Sequence, residues 1–297
     1  MSEMRRGVLF GVAAYVLWGL FPLYWPLLKP AGSVEILAHR IIWSLVAVLV
    51  ILAAGRHWRW IKGLKARTVA VLAAAAVVIT VNWGVYIYAV NTGRTIEAAL
   101  GYFINPLVSV TLGVLILRER LRPWQWAAVG TGAAAVVVLA VDYGGLPWIA
   151  LTLACSFGTY GLLKKFAGTP SSESLGIETT VLLLPALAYA IFQPHPTFTA
   201  HGPGHIAFLI GAGVVTAIPL LLFNSAATRV PLTVIGLVQY LAPVLQFLIG
   251  LTIQHEAMPA SRWIGFLLVW AALVILSVDA VRAARKKTAR RPEPVAA

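Results

Sequence analysis

The sequence predicts an all-α integral membrane protein of ten transmembrane helices, arranged as two inverted five-helix repeats. Of its 297 residues, 60% are hydrophobic and only 11% are charged, which is more apolar surface than a water-soluble domain can bury. The apolar residues form ten segments, each close to the roughly 20 residues that a membrane-spanning helix needs. In addition, the fourth and fifth segments recur in altered form as the ninth and tenth.

The ten segments follow one another with short connections, as expected for packed membrane helices. The first begins near two basic residues like a signal peptide, but its apolar stretch runs on to Leu28 without a small-residue cleavage site, so we expect it to remain as a span. Cys155 lies within the sixth segment, where we expect a small buried residue rather than a reactive thiol. The predicted spans are residues 7–28, 34–54, 68–90, 97–117, 124–141, 146–164, 172–192, 205–226, 232–253 and 261–281.

The basic residues predict how the chain is oriented in the membrane. With ten spans, 19 of the 23 Lys and Arg residues fall on one side and 4 on the other. Since basic loops stay in the cytoplasm, this bias predicts a multi-pass protein of the cytoplasmic membrane with both termini cytoplasmic. The net charge of +13 therefore reflects loops beside the lipid bilayer, and we expect no nucleic-acid partner.

An internal repeat divides the chain into two halves. Five residue pairs match at one offset of 137 positions, and apolar composition alone would not readily produce them: Pro106 and Pro243, Gly113 and Gly250, Glu119 and Glu256, Trp126 and Trp263, Asp142 and Asp279. Each half has five spans, an odd number, so the second half must enter the membrane inverted. Inverted repeats are typical of secondary transporters. The predicted units are residues 1–145 and 146–281, followed by a basic cytoplasmic tail, 282–297.

Pro106 and Pro243 occupy matching positions within spans 4 and 9. A proline removes one helical hydrogen bond and kinks or interrupts the helix. Matched interruptions in two repeats are a sequence indicator of a transporter's substrate site. The alternative is that both prolines shape only the packing of their helices.

Polar side chains recur at membrane depth on one face of spans 4 and 9. An amide that faces lipid costs several kcal/mol, roughly, so we expect these faces to point inward. There they either line a substrate cavity or form hydrogen bonds between helices that are only structural. The residues that we expect to contact substrate are Trp18, Asn82, Tyr86, Tyr102, Asn105, Tyr160, Asn224, Gln239 and Gln246.

A few ionisable residues lie inside the predicted spans, where charges are rare and often functional. His39 and Arg40 in span 2 and Glu178 in span 7 are candidates for gating or ion coupling. The alternative is an ion pair that orders helix ends. Glu97 is expected to stabilise the N-terminus of its own span. Glu119 and Glu256 are expected to be solvated loop residues, and Asp142 and Asp279 to mark span ends.

Enzyme motifs are missing from the sequence. It contains no phosphate-binding loop, serine nucleophile motif or zinc-protease motif, and the histidines of the longest external loop lack the spacing of metal ligands. We therefore expect no enzymatic activity, no cofactor and no metal site.

Several motifs resemble those of one transporter family: WGLFPLYWPLLK, EILAHRIIWS, NWGVYIYAVN, EAALGYFINPL with RERL, YGLLKK, TAIPLLLF and GLVQYLAPVLQF. Together they resemble the RarD-type branch of the EamA transporters, within the drug/metabolite transporter superfamily, over residues 7–281. One mild difference is Lys164-Lys165, where that pattern often has Arg-Lys. The resemblance implies a ten-helix inverted fold with a central cavity, which moves small metabolites or drugs, commonly outward.

These observations predict a secondary transporter that moves a small organic metabolite or drug by alternating access, in the outward direction. Its predicted partners are the small-molecule substrate, the bilayer and an ion that couples to transport. Two other classes remain as alternatives, namely a passive channel and a non-transporting membrane sensor or assembly partner.

Overall fold

The computed structural model describes residues 2–54, 63–118, 120–169 and 171–289. Within these ranges the regular structure is entirely helical, which confirms the predicted all-α class. The α-helices are α1 (Glu3–Gly19), α2 (Phe21–Tyr24), α3 (Ser33–Ala54), α4 (Ala66–Asn91), α5 (Thr95–Leu117), α6 (Pro123–Asp142), α7 (Trp148–Ala167), α8 (Ser171–Phe192), α9 (Gly202–Ala227), α10 (Leu232–Val238), α11 (Leu241–Thr252) and α12 (Ala260–Ala289), with a 3-10 turn at Trp25–Leu28.

Nine helical segments in the described part of the chain are long and apolar enough to cross a membrane. The tenth predicted span is α7, which has 20 residues but is less apolar because Lys164 and Lys165 lie in its last turn. It packs against α4 and α5, so its polar residues can face protein instead of lipid. The chain is a multi-pass membrane protein.

The first helix of each repeat packs against helices of the other repeat. In the second repeat, the first helix, α7, packs against α4 and α5 of the first repeat. In the same way α1 packs against α9 and α11 of the second repeat. The second spans, α3 and α8, pack together, and so do the fifth spans, α6 and α12. This reciprocal pattern is the arrangement that an inverted duplication produces.

The two ends of the bundle are here named outer and inner, after the predicted orientation. At the outer end Arg262 Nε lies 2.9 Å from Asp142 Oδ2. At the inner end Arg229 Nε lies 3.1 Å from Glu3 Oε2. Consecutive spans alternate between these ends, so α1 begins at the end where α7 finishes.

Both ends of the α6–α12 pair carry an ion pair. Besides the Asp142–Arg262 contact at the outer end, Arg122 Nη2 lies 2.5 Å from Asp279 Oδ2 at the inner end. The two aspartates, expected only to mark span ends, therefore connect the two repeats. Close packing supports the pair, since a Cβ on Gly265 would fall 2.3 Å from Leu139 Cγ.

The first span is not one continuous helix. It divides into α1, α2 and the 3-10 turn, because Pro22 and Pro26 lack the N–H groups that would continue the helical ladder. Trp25 and Leu28 are fully buried by this change of direction. The division brings Phe21 and Trp25 to the interior near Arg40.

The two matched prolines have different effects, which corrects the expectation of matched interruptions. Helix α5 continues through Pro106, whereas the second repeat is interrupted between α10 and α11, just before Pro243. At that break Gln239 Nε2 donates a hydrogen bond to the Gly236 carbonyl, 3.0 Å away. A side chain that bonds to the local backbone competes with the helical ladder, so proline alone does not decide the break.

One further expectation is corrected. Cys155 is exposed, because it lies on the opposite side of α7 from the buried Ala150 and Leu153. The basic tail after residue 281 stays a prediction: α12 runs into it as far as Ala289, and residues 290–297 lie outside the described part.

Candidate functional site

Arg40 lies in the interior within a cage of aromatic rings. Its side chain is buried, with 3% exposed. The guanidinium carbon is 4.0 Å from the ring centroid of Trp83, 5.1 Å from that of Trp25 and 5.7 Å from that of Phe21. Nε donates to Thr216 Oγ1 at 3.0 Å. Arg40 thus connects α3 with the broken first span, α4 and α9.

The charge of Arg40 has no carboxylate partner among the described residues. Tyr86 belongs to the same buried cluster as Phe21 and Trp25, whose rings cover the guanidinium, and Tyr102 packs against that cluster. Glu178, the acidic candidate for gating or ion coupling, pairs with Lys164 instead. Among the described residues, the buried guanidinium is therefore stabilised by ring faces and by the Thr216 hydroxyl.

Three of the predicted site residues meet beside Arg40. Asn82 Nδ2 donates to the Leu153 carbonyl and to Ser156 Oγ, both at 3.0 Å. Asn82 Oδ1 accepts from the Tyr102 hydroxyl at 3.1 Å. The Tyr86 and Tyr102 ring centroids are 5.6 Å apart. This network joins α4, α5 and α7 around one polar centre.

Five buried polar atoms of predicted site residues have no hydrogen-bond partner within the described ranges. They are the Tyr86 hydroxyl, Asn105 Oδ1, Gln246 Oε1 and the two ring nitrogens of His39. A buried unsatisfied group costs roughly 1–3 kcal/mol, so native proteins leave few of them. These atoms mark positions where water or a ligand would supply the missing hydrogen bond.

Exposure along the inward face of α5 changes from one end of the bundle to the other. Residues 98, 102, 105, 109 and 116 share this face. Ala98, near the outer end, is fully buried and Asn105 is 9% exposed, whereas Ile116 near the inner end is 50% exposed. Ser109, between them, is also exposed.

Helix α7 shows the same change. Leu153 is fully buried, while Phe157, one turn closer to the inner end, is 37% exposed although its ring contacts Tyr102 and Tyr160. The faces of α5 and α7 that share these residues are therefore buried near the outer end and exposed near the inner end.

Tyr160 and Glu178 belong to a second polar cluster, nearer the inner end. Lys164 Nζ lies 3.0 Å from Glu178 Oε1, and the Tyr160 hydroxyl donates to Oε2 at 3.1 Å. The side chains of Lys164 and Glu178 are 18% and 2% exposed. Lys164, counted above with the cytoplasmic loops, is thus drawn inside by a buried carboxylate.

The outer end is held by glutamates that bind the backbone of other elements. Glu256 accepts from the N–H groups of Thr95 and Ile96 at 2.5 and 2.9 Å, which caps α5. Glu97 accepts from Ile149 N–H at 3.2 Å, which caps α7. A carboxylate at a helix N-terminus satisfies free N–H groups and interacts favourably with the helix dipole.

These contacts extend one expectation and correct another. Glu97 lies in the first turn of its own helix, as expected, and also binds the N-terminus of α7. Glu256 is a cap rather than a solvated loop residue. Its repeat counterpart, Glu119, lies outside the described residues. Glu35 adds a third contact at this end, because it accepts from Thr197 N–H at 2.7 Å.

A polar crevice of about 440 Å³ remains at the outer end; its lining includes Arg94, Glu97, Tyr143, Glu256 and Arg262. Burial raises the pKa of the Tyr143 phenol, and the Arg262 guanidinium, 4.3 Å from its ring centroid, opposes that shift. Tyr143 therefore stays neutral at physiological pH. The crevice is separate from the interior around Arg40.

The other predicted site residues lie around the inward-facing space or away from it. Trp18 contacts Phe223, with ring centroids 5.8 Å apart, and its carbonyl accepts from Gln246 Nε2 at 3.2 Å. Asn224 follows Phe223 on α9, half-buried, and no described side-chain contact ties it to the cluster. His39 instead stacks on Phe198, at 4.5 Å, on another side of α3 from the Arg40 cage.

Trp83 and Lys164 were missed as interior residues by the sequence analysis. Trp83 lies well inside its span, whereas tryptophans that anchor a helix lie at the membrane surface. This position in the sequence could have indicated an interior residue. For Lys164, the acidic Glu178 in the following span could have indicated a buried partner. A long lysine stem can bury its methylenes while its ammonium finds a partner.

Comparisons with known proteins agree with this architecture. The sequence pattern of the EamA-like transporter family matches twice, at residues 5–141 and 145–278. "Protein RarD" of Streptomyces exfoliatus is 57% identical over 294 residues, which cover 97% of this chain and 93% of the relative. "Uncharacterized transporter YojE" of Bacillus subtilis is 44% identical, with 95% and 96% covered.

A further relative, "Protein RarD" of Escherichia coli, is 40% identical, with 96% of this chain and 98% of the relative covered. One solved crystal structure superposes with a TM-score of 0.61 at 20% identity, and the match covers 93% of this chain and 98% of that chain. At this identity the likeness concerns the fold alone.

Proposed function

Because the chain belongs to the EamA-like transporter family, we propose that it is a secondary transporter that exports a small organic metabolite or drug across the cytoplasmic membrane by alternating access. The observation that carries this proposal is the change in exposure along α5 and α7. An interior closed at one end, open at the other and lined by polar and aromatic side chains is what one state of such a carrier requires.

The exchanged packing of the repeats supports the alternating part of the proposal. Since α7 packs on α4 and α5 as α1 packs on α9 and α11, similar contacts can form at either end. Closing the inner end while opening the outer end then exchanges the roles of the repeats. Two states of comparable energy follow from this similarity.

A passive channel and a non-transporting sensor are the competing functions. A channel needs a continuous path, whereas buried side chains and glutamate caps close the outer end here. A sensor has no use for two similar, oppositely oriented halves. Both arguments favour a carrier.

Counterflow in proteoliposomes tests the proposal. Purified protein is reconstituted with a high internal concentration of one unlabelled solute, and entry of the labelled solute is followed for aromatic amino acids, aromatic carboxylates, organic cations and chloramphenicol. A carrier gives saturable, transient accumulation of label for at least one class. Equilibration without accumulation would indicate a channel, and no flux in any class would favour the sensor.

Counterflow by single-residue variants tests which side chains belong to the substrate site. We expect Asn105→Ala and Gln239→Ala to impair counterflow while membrane insertion stays normal, because Asn105 is buried on α5 and Gln239 lies at the break between α10 and α11. Thr131→Ala is the matched control, since Thr131 bonds only within its own helix, to the Ala127 carbonyl at 2.9 Å. Normal counterflow by both test variants would remove these residues from the substrate site.

We propose Glu178 as the residue that couples transport to an ion, because a buried carboxylate in a membrane can exchange a proton when its partners move. An inward proton gradient should accelerate efflux by the native protein and leave the efflux rate of the Glu178→Gln variant unchanged. If the gradient accelerates both equally, coupling does not involve Glu178.

A further inference from the structure

No carboxylate in the described part of the chain pairs with Arg40, although its side chain is almost completely buried. A guanidinium has five N–H donors. The Nε donor bonds to Thr216 Oγ1, and the donors on the two terminal nitrogens have no hydrogen-bond partner among the described residues. Trp83 covers one face of the group at 4.0 Å. What remains is the edge of the guanidinium, the part that binds a carboxylate through two parallel hydrogen bonds.

The aromatic cage does not replace a counter-ion. A cation–π contact is weak, and the cost of burying an ion in a protein exceeds what a few such contacts return. Such a charge persists where it has a task, and inside a membrane span its task is commonly to bind an ion or substrate.

A second unsatisfied donor lies next to Arg40. The Tyr86 hydroxyl is buried without a partner in the described structure, and Tyr86 belongs to the same buried cluster as Phe21 and Trp25, whose rings cover the Arg40 guanidinium. The neighbouring Tyr102 hydroxyl differs, because it already donates to Asn82. Tyr86 can therefore donate to a group that also meets Arg40.

We propose that Arg40 and Tyr86 form an anion subsite, which binds the carboxylate of the transported solute. This inference rests on the proposed function and names its substrate class, an organic carboxylate with an apolar or aromatic body. The rings of Tyr102 and Phe157, 6.0 Å apart, supply the apolar surface on the path to the open inner end. An organic cation would be repelled at this position.

Three matched probes test the subsite on the purified full-length protein: 3-phenylpropionate, its uncharged amide, and 2-phenylethylammonium. Binding is followed by tryptophan fluorescence, since Trp83 and Trp25 contact Arg40, and by thermal stabilisation. Because hydrogen bonds to a charged group contribute about 1.5–3 kcal/mol, the carboxylate should bind at least about tenfold more tightly than the amide. The ammonium should bind most weakly.

Variants separate binding from structure. Arg40→Gln should abolish the preference for the carboxylate, and Arg40→Lys should keep part of it. Tyr86→Phe should weaken carboxylate binding several-fold without lowering the melting temperature, because the hydroxyl that it removes has no partner within the described ranges. Tyr88→Phe, on the exposed side of α4, is the control with unchanged binding. If Arg40→Gln does not fold, the carboxylate affinity of Tyr86→Phe tests the subsite in its place.

Three results would each overturn the subsite. The amide or the ammonium could bind as tightly as the carboxylate or more tightly. The carboxylate could fail to bind at its highest soluble concentration, or Tyr86→Phe could bind it as the native protein does. Counterflow of a neutral or cationic solute without carboxylate preference would keep the carrier and reject the subsite. Carboxylate binding without counterflow would keep the subsite and reject the carrier.

Discussion

The two ends of the bundle are closed to different degrees and by different contacts. At the outer end, Glu97 and Glu256 bind the N-termini of helices other than their own, and the inward faces of α5 and α7 are buried. At the inner end these faces are exposed, and Lys164 and Glu178 form a buried ion pair between side chains. This difference supports the proposal that the interior opens at the inner end.

The difference shows which contacts must break for the interior to open at the outer end. Glu256 follows α11 of the second repeat and holds α5 of the first, so separating the repeats at this end exposes three groups, the carboxylate and two backbone N–H groups. Since charged groups and free N–H groups are well hydrated by water, the cost of opening is moderate. Ion pairs between side chains at the inner end do not fix backbone positions in this way.

The largest effect is expected when the buried pair at the inner end is broken. Lys164→Met leaves the Glu178 carboxylate buried with only the Tyr160 hydroxyl, and removing one partner of a buried ion pair costs about 3–5 kcal/mol. Chemical unfolding in detergent should show this loss. Lys65→Met, at an exposed lysine just before α4 at the same end, is the control and should cost less than about 1 kcal/mol.

The double variant Lys164→Met/Glu178→Leu sharpens the test. Replacing both charges by apolar groups should restore most of the stability, because no unpaired charge is left. If Lys164→Met and Lys65→Met lose equally little stability, the Lys164–Glu178 pair is not a buried contact and the contrast between the two ends weakens.

A smaller effect is expected at the outer end. Glu256→Gln replaces two charge-assisted hydrogen bonds by at most one neutral bond, which should cost roughly 1–2 kcal/mol and shift the population towards opening at that end. Counterflow should then show a changed balance of entry and exit rates. Glu3→Gln at the inner end, where Glu3 is 67% exposed, should leave the rates unchanged. If both variants have the same entry and exit rates, Glu256 does not contribute to closure of the outer end.

Much of the fold could be predicted from the sequence because its signals are local or periodic. Apolar length defined the spans, and the fixed offset between Pro106 and Pro243 revealed the duplication and hence the inversion. The break of the first span was missed, although Pro22 and Pro26 are visible, because a membrane helix often tolerates proline, as α5 does at Pro106.

The contacts that close the outer end could not be predicted in the same way. Glu97 reaches a backbone group 52 positions away and Glu256 one 160 positions away, so each looked like a cap of its own helix or a loop residue. Part of the candidate site was predictable, since Asn82, Tyr86 and Tyr102 meet as their depth and polarity indicated. The cage around Arg40 needed Trp83 and the broken first span, whose meeting depends on tertiary packing.

The most direct test of the central claim, an interior closed at the outer end and open at the inner end, is the sidedness of thiol labelling on one face of α5. In a Cys155→Ser background, Ala98→Cys and Ser109→Cys are treated with a membrane-impermeant maleimide, in intact cells and in inside-out vesicles. Ser109→Cys should react from the cytoplasmic side, and Ala98→Cys far more slowly from either side. Equal rates at both positions, or reaction of Ser109→Cys only from outside the cell, would contradict the account.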